Sequence, residues 1–129
     1  FALSSRQPYE ILKQADEIKF EYRDRKAIPD FAERYPDAEI VLYHKYTDPD
    51  IDWTEIKTFQ VLTKEKFYVC SDSISELLKA RENGIKFFHN NPAKTFYELR
   101  ALKNLGVSYV FLDAPLFFQM DKVKMLLKY

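Results

Sequence analysis

Between residues 66 and 118 the chain repeats one pattern nearly three times: a short apolar run, a polar cluster, then a stretch with helical spacing. The runs are Phe67-Tyr68-Val69-Cys70, Ile85-Lys86-Phe87-Phe88 and Val107-Ser108-Tyr109-Val110-Phe111-Leu112. They end in Ser71-Asp72-Ser73, in His89-Asn90-Asn91 and in Asp113. The chain has two glycines, and each directly precedes one of these runs: Gly84 before Ile85, Gly106 before Val107. A residue closing a helix often needs a left-handed backbone, which glycine adopts without steric cost. Strands separated by helices of this length must pair in parallel through right-handed crossovers.

The same alternation extends upstream. Residues 4–16 read as a short helix, and residues 17–23 as a strand with Ile18, Phe20 and Tyr22 on one face and Lys19, Glu21 and Arg23 on the other. A charged turn over 24–26 leads to a helix over 28–35, stopped by Pro36, and then to a second strand over 39–46. Asp52 with Glu55 and Ser73 with Glu76 have the spacing of capping boxes, each opening a helix. Asn91 followed by Pro92 predicts the start of the next helix, which carries Phe96, Leu99 and Leu102 at helical spacing. Residues 107–112 read as a fifth strand and 121–129 as a last helix.

Five such strands fit two α/β architectures. A flavodoxin-like, open doubly wound sheet covers both faces with helices and wants its central strands apolar on both sides. The charged face of the first strand sits poorly there. Part of a (β/α) barrel accommodates it, because inward residues near a barrel mouth can pair or meet a ligand. The expected fold is therefore a partial (β/α) barrel over residues 1–129, one domain, either whole or a fragment of a larger barrel.

With 129 residues and 47% hydrophobic content the chain can bury a real core. Twenty basic residues balance twenty acidic ones, which removes the electrostatic case for nucleic acid or an anionic membrane as partner. No apolar run approaches the roughly 20 residues needed to cross a bilayer, and Arg6, Pro8, Glu10 and Lys13 interrupt any leader-like stretch. A single cysteine, Cys70, excludes an internal disulfide framework and suits a soluble protein of the reducing cytoplasm, although it would suit a cysteine-poor secreted protein too.

Residues 73–115 resemble the later repeats of many (β/α)-barrel enzymes: a helix ending at Gly84, a strand into His89-Asn90-Asn91, a helix ending at Leu105-Gly106-Val107 and a strand into Leu112-Asp113-Ala114-Pro115. Glycerophosphodiester phosphodiesterases are similar in this rhythm. Their His-Arg-Gly and Glu-x-Asp signatures are absent here, so the resemblance assigns no catalytic residue and its implication stops at the fold.

Function in either architecture sits at the C-terminal ends of the strands. Those ends hold Glu21, Arg23, both histidines His44 and His89, Lys45, Asn91 and Asp113. His89 beside Asp113 is the best general acid-base pair, since a carboxylate can orient an imidazole; His44 and Glu21 complete the catalytic candidates. Arg23, Lys45 and Asn91 are the ligand-binding candidates. No His-x-His or His-Glu-x-x-His spacing occurs, so no metal site is expected, and nothing names a cofactor. No glycine follows a strand, which argues against a phosphate-cradling nucleotide loop. The expected function is binding of a small polar molecule, with hydrolase or lyase chemistry as its extension. The rival is a non-catalytic interaction or structural module. Such a module would meet a second copy, or a missing part of the domain, through its sheet edges and through Phe117 and Phe118. An enzyme of the first kind predicts His44 and His89 around a common void.

Overall fold

The computed structural model describes residues 17–128, so the helix expected over 4–16 and the final Tyr129 lie outside the described residues. Four parallel strands form one sheet in the order β1-β2-β3-β4: β1 (Glu17–Glu21), β2 (Glu39–His44), β3 (Phe67–Ser71) and β4 (Lys86–His89). The helices are α1 (Ile28–Arg34), α2 (Trp53–Leu62), α3 (Ile74–Glu82), α4 (Phe96–Leu105), α5 (Ala114–Phe117) and α6 (Met120–Lys128). A 3-10 helix, Tyr22–Ala27, follows β1, so Arg23 stands just past the strand and not on it.

Period-two alternation decides which side of the sheet each residue serves. Ile18, Phe20, Ile40, Leu42, Phe67, Val69 and Phe87 point to one side and pack against Ile28 and Phe31 of α1, Ile56 and Phe59 of α2, and Leu77 and Ala80 of α3. The other side carries Val41, Tyr68, Cys70 and Phe88, with Tyr43 and Val107 packed against them. A second, smaller apolar cluster joins α4, α5 and α6 through Leu99, Leu102, Leu116 and Val123.

The helix ends follow local chemistry. Asp52 accepts hydrogen bonds from the Thr54 and Glu55 amides at the start of α2, and Ser73 accepts from the Glu76 amide at the start of α3. Gly84 and Gly106 both have positive φ, at 70° and 98°. The start of α4 differs from expectation. Thr95, four residues after Asn91, is its cap and accepts from the Glu98 amide at 3.1 Å.

The expected five-stranded sheet is corrected to four strands, and four strands do not close a barrel. The strand order is nonetheless sequential, without the reversal at which a doubly wound sheet turns back. Residues 107–112 run beside β4 but pair with it only in part. Ser108 N–H donates to the Phe87 carbonyl at 2.8 Å, and further on Leu112 forms an isolated parallel bridge with Ala93. Between these points the ladder lapses: the bonds to this segment come from alternate residues, Phe87 and Ala93, and the N–H of Asn91, which lies between them in that alternation, is spent on the His89 ring at 3.2 Å.

Residues 107–112 cover one end of the second face instead. The Tyr109 ring lies 5.1 Å from that of Tyr68 and 5.6 Å from that of Phe88, and Phe111 also meets Phe88 edge-on. The Tyr109 and Tyr68 hydroxyls both donate to the Glu39 carboxylate, at 3.1 and 3.4 Å. Among the described residues no helix is long and apolar enough to cross a membrane.

Candidate functional site

The side of the sheet opposite α1, α2 and α3 becomes polar toward the C-terminal ends of its strands. The register aligns Glu21 with Tyr43, Tyr43 with Cys70 and Cys70 with Phe88, so these four side chains form one row across the sheet. One step before this row, on the same side, is Lys19; one step beyond it, by the same alternation, come Lys45, Asp72 and Asn90.

These groups are joined to one another. Lys19 Nζ donates to Asn90 Oδ1 at 3.2 Å and sits 4.3 Å from the centroid of the Tyr43 ring, a cation–π contact. Asn90 Nδ2 donates to the Tyr43 hydroxyl at 3.4 Å, and that hydroxyl donates to Asp72 Oδ2 at 2.9 Å. Cys70 Sγ donates to Asn90 Oδ1 at 3.5 Å. At the β1 side of the face, Glu21 holds two cations: Lys45 at 2.6 Å and Arg23 at 2.7 Å.

The protonation states follow from these contacts. The hydrogen bond from Lys45 holds the Glu21 carboxyl below its ordinary range against the opposing effect of burial, with Arg23 adding to the lowering. Burial, helped by the hydrogen bond to Asp72, pushes the Tyr43 phenol up to about 12. Burial likewise pushes the Cys70 thiol up to about 12, although the Lys19 charge pulls the other way. Tyr43 is therefore a neutral phenol at neutral pH, a hydrogen-bond donor. Cys70 is a thiol and not a nucleophilic thiolate.

Of the residues expected at the site, the structure brings Glu21, Arg23 and Lys45 together on this face. It places the histidines on the other side of the sheet, by the same alternation that buries Leu42 and Phe87 there. His44 is buried, with Nε2 donating to the Pro49 carbonyl at 2.8 Å and its ring edge-on to Tyr22. His89 Nε2 donates to the Asp72 carbonyl at 3.1 Å, which leaves Nδ1 to accept the Asn91 amide at 3.2 Å. Neither bond goes to Asp113, which precedes α5, makes no side-chain cap and gives its amide to the Ala93 carbonyl. Asn91 is exposed, its backbone engaged by His89. Among the described residues no group of three or more His, Cys, Asp or Glu side chains could hold a metal ion.

Lys19, Tyr43, Asp72 and Asn90 carry the polar network; Asp72 and Asn90 are among the polar residues the sequence places at strand ends, whereas Lys19 and Tyr43 were not singled out from the sequence. The signal that could have found them is parity: each lies an even number of residues from a charge or cluster already identified, Lys19 from Glu21 and Tyr43 from Lys45. A cavity of about 890 Å³ lies elsewhere, beside α3 and α4, where Ile74, Ala93, Leu102 and Leu105 line it together with the polar His89, Asn91, Lys94, Glu98 and Asn104, so two of the expected site residues, His89 and Asn91, meet there. This cavity and the hydrogen-bonded group of Lys19, Tyr43, Asp72 and Asn90 are separate places on the molecule. The convergent polar groups are the better guide to a ligand, because orientation and selectivity come from placed donors and acceptors.

The chain matches no protein-family model, no curated protein and no solved structure.

Proposed function

We propose that the chain forms part of a (β/α) barrel and binds a small polar molecule on the sheet face that would be the inside of that barrel. Its sequential strand order supports the barrel assignment, since neighbouring βα units of a barrel follow one another without reversal. One observation carries the ligand assignment: side chains from all four strands and their C-terminal ends, Lys19, Tyr43, Asp72 and Asn90, meet in one hydrogen-bonded group. Strand-end polar groups in a parallel sheet are where this architecture binds its ligands. Binding is better supported than hydrolase or lyase chemistry through His89 and Asp113, because the His89 ring nitrogens already serve backbone groups.

A titration of isotope-labelled protein with small polar metabolites, followed by amide chemical shifts, tests this assignment. Shifts of Lys19, Tyr43, Asp72 and Asn90 moving together are expected. Shifts confined to Ile74, Leu102 and Leu105 would place the ligand in the cavity beside α3 and α4 and refute the proposal.

The rival, a non-catalytic interaction module, draws on Phe117 and Phe118, which are 59% and 82% exposed and stack edge-on with each other.

A further inference from the structure

We infer that the ligand of this face carries an anionic group, a carboxylate or a phosphate, that docks on Lys19, and a hydroxyl that hydrogen-bonds to Asp72. The inference rests on the face being a ligand site and adds the chemistry of what it takes.

The charges of the face divide unevenly. Glu21 is shared by two cations, Lys45 and Arg23. Asp72 accepts a hydrogen bond from Tyr43, a phenol that burial keeps neutral. Lys19 is different: it is half-buried, and among the described residues it forms no salt bridge. Its two contacts are a neutral amide oxygen and an aromatic ring. Glu17, Glu39 and Lys86 share this side of the sheet by the same alternation, so the face as a whole carries no excess charge; what sets Lys19 apart is that none of these carboxylates forms a salt bridge with it. A partly desolvated ammonium without a counter-charge is unfavourable, and an anion placed against it removes that penalty.

Geometry fixes where the anion goes. An ammonium has three donors, and one of them is taken by Asn90 Oδ1. The Tyr43 ring beneath Nζ and the Asn90 amide beside it hold the group in place, so a ligand meets an oriented donor. The Asn90 oxygen already receives Lys19 and Cys70, and one of its two Nδ2 hydrogens is directed to Tyr43, which leaves the second as an added donor beside Lys19. Next to this group Asp72 is exposed, and Tyr43 engages only its Oδ2. Oδ1 is an acceptor suited to a neutral donor such as a hydroxyl, and it would repel a second anionic group. Together these features select a compact molecule with an anionic end and a hydroxyl, a hydroxy acid or a polyol phosphate.

The test uses the full chain and four probes, glycerate, glycerol 3-phosphate, inorganic phosphate and glycerol, titrated by calorimetry with amide shifts locating each. Glycerate or glycerol 3-phosphate is expected to bind on the face, with the better of the two marking the anion as carboxylate or phosphate, and glycerol is expected not to bind. Lys19→Met should weaken the better probe by about tenfold or more, the loss expected for a charge-assisted hydrogen bond. Lys19→Arg, which keeps the charge, should recover most of the binding and serves as the folding control. Asp72→Ala should weaken the hydroxylated probe but not inorganic phosphate, which loses a neighbouring negative charge and binds as well or better. If the probes bind on the face but Lys19→Met binds them within about twofold of the parent, or if glycerol binds as tightly as glycerate, the Lys19 assignment is overturned and the face remains a ligand site. If none of the four shifts the face, the assignment falls. If other metabolites then shift it, the broader proposal survives alone; if they do not, both fall.

Discussion

Glu65 illustrates how a single residue can carry conformational cost. It has φ 66°, and Lys64 before it has φ 54°, so α2 is followed by two left-handed residues with no glycine to ease them. Both are exposed, and the Glu65 amide closes the turn on the Gln60 carbonyl. Glu65→Gly is expected to raise stability by about 0.5–1 kcal/mol, read from urea unfolding, because relief of the left-handed penalty outweighs the entropy glycine adds to the unfolded chain. Tyr43 gives a pH-dependent prediction. Its phenol titrates near 10.0 when unfolded and is pushed up to about 12 in the fold, so its contribution to stability is complete below pH 10 and is lost as pH rises toward 12. Tyr43→Phe should therefore flatten the alkaline decline of stability over that interval, and Asp72→Asn should bring the Tyr43 titration, followed by ultraviolet absorbance, back toward its ordinary value. Of the site, Glu21, Arg23 and Lys45 were legible because they are charges at strand ends. Lys19 and Tyr43 were less so, since a charge or phenol inside a strand can face either way until the neighbouring strands are in register.

Among the elements, α4 shows how competing cap signals are resolved. Asn91-Pro92 has the composition of a helix start, yet the Asn91 amide bonds to the His89 ring and the helix begins only after Thr95. Thr95→Ala is expected to cost about 1 kcal/mol, whereas Asn91→Ala, which keeps the backbone amide, should leave the α4 cap intact; denaturant midpoints of the two variants separate these outcomes. The segment over 107–112 makes a related point. It has strand composition and follows a helix closed by Gly106, but its pairing with β4 is interrupted and its tyrosine is tied to the β2 and β3 side chains instead. Tyr109→Phe removes the bond to Glu39 and is expected to destabilise the chain by about 1 kcal/mol. Faster hydrogen exchange at the Ser108 amide would show that the loss loosens this segment. Strand propensity was visible in the residues; whether a ladder forms depended on what the partner's amides were already doing.

Over the whole molecule, stability is concentrated between the sheet and its three covering helices. Leu77, fully buried in that layer, should lose about 2–5 kcal/mol as Leu77→Ala. Phe118→Ala, at 82% exposure, should stay within about 0.5 kcal/mol, and thermal melts of the pair would check the contrast. The residue pattern alone determined the parallel α/β plan, the apolar side of β1 and the left-handed ends at Gly84 and Gly106, since each follows from local periodicity or backbone sterics. Strand number and the composition of the polar face were decided by tertiary structure. Side-chain parity takes on a facing only once a strand is registered against its neighbours, and that register buried His44, set the half-exposed His89 at the margin of the cavity beside α3 and α4, and gathered Lys19, Tyr43, Asp72 and Asn90 on the other side.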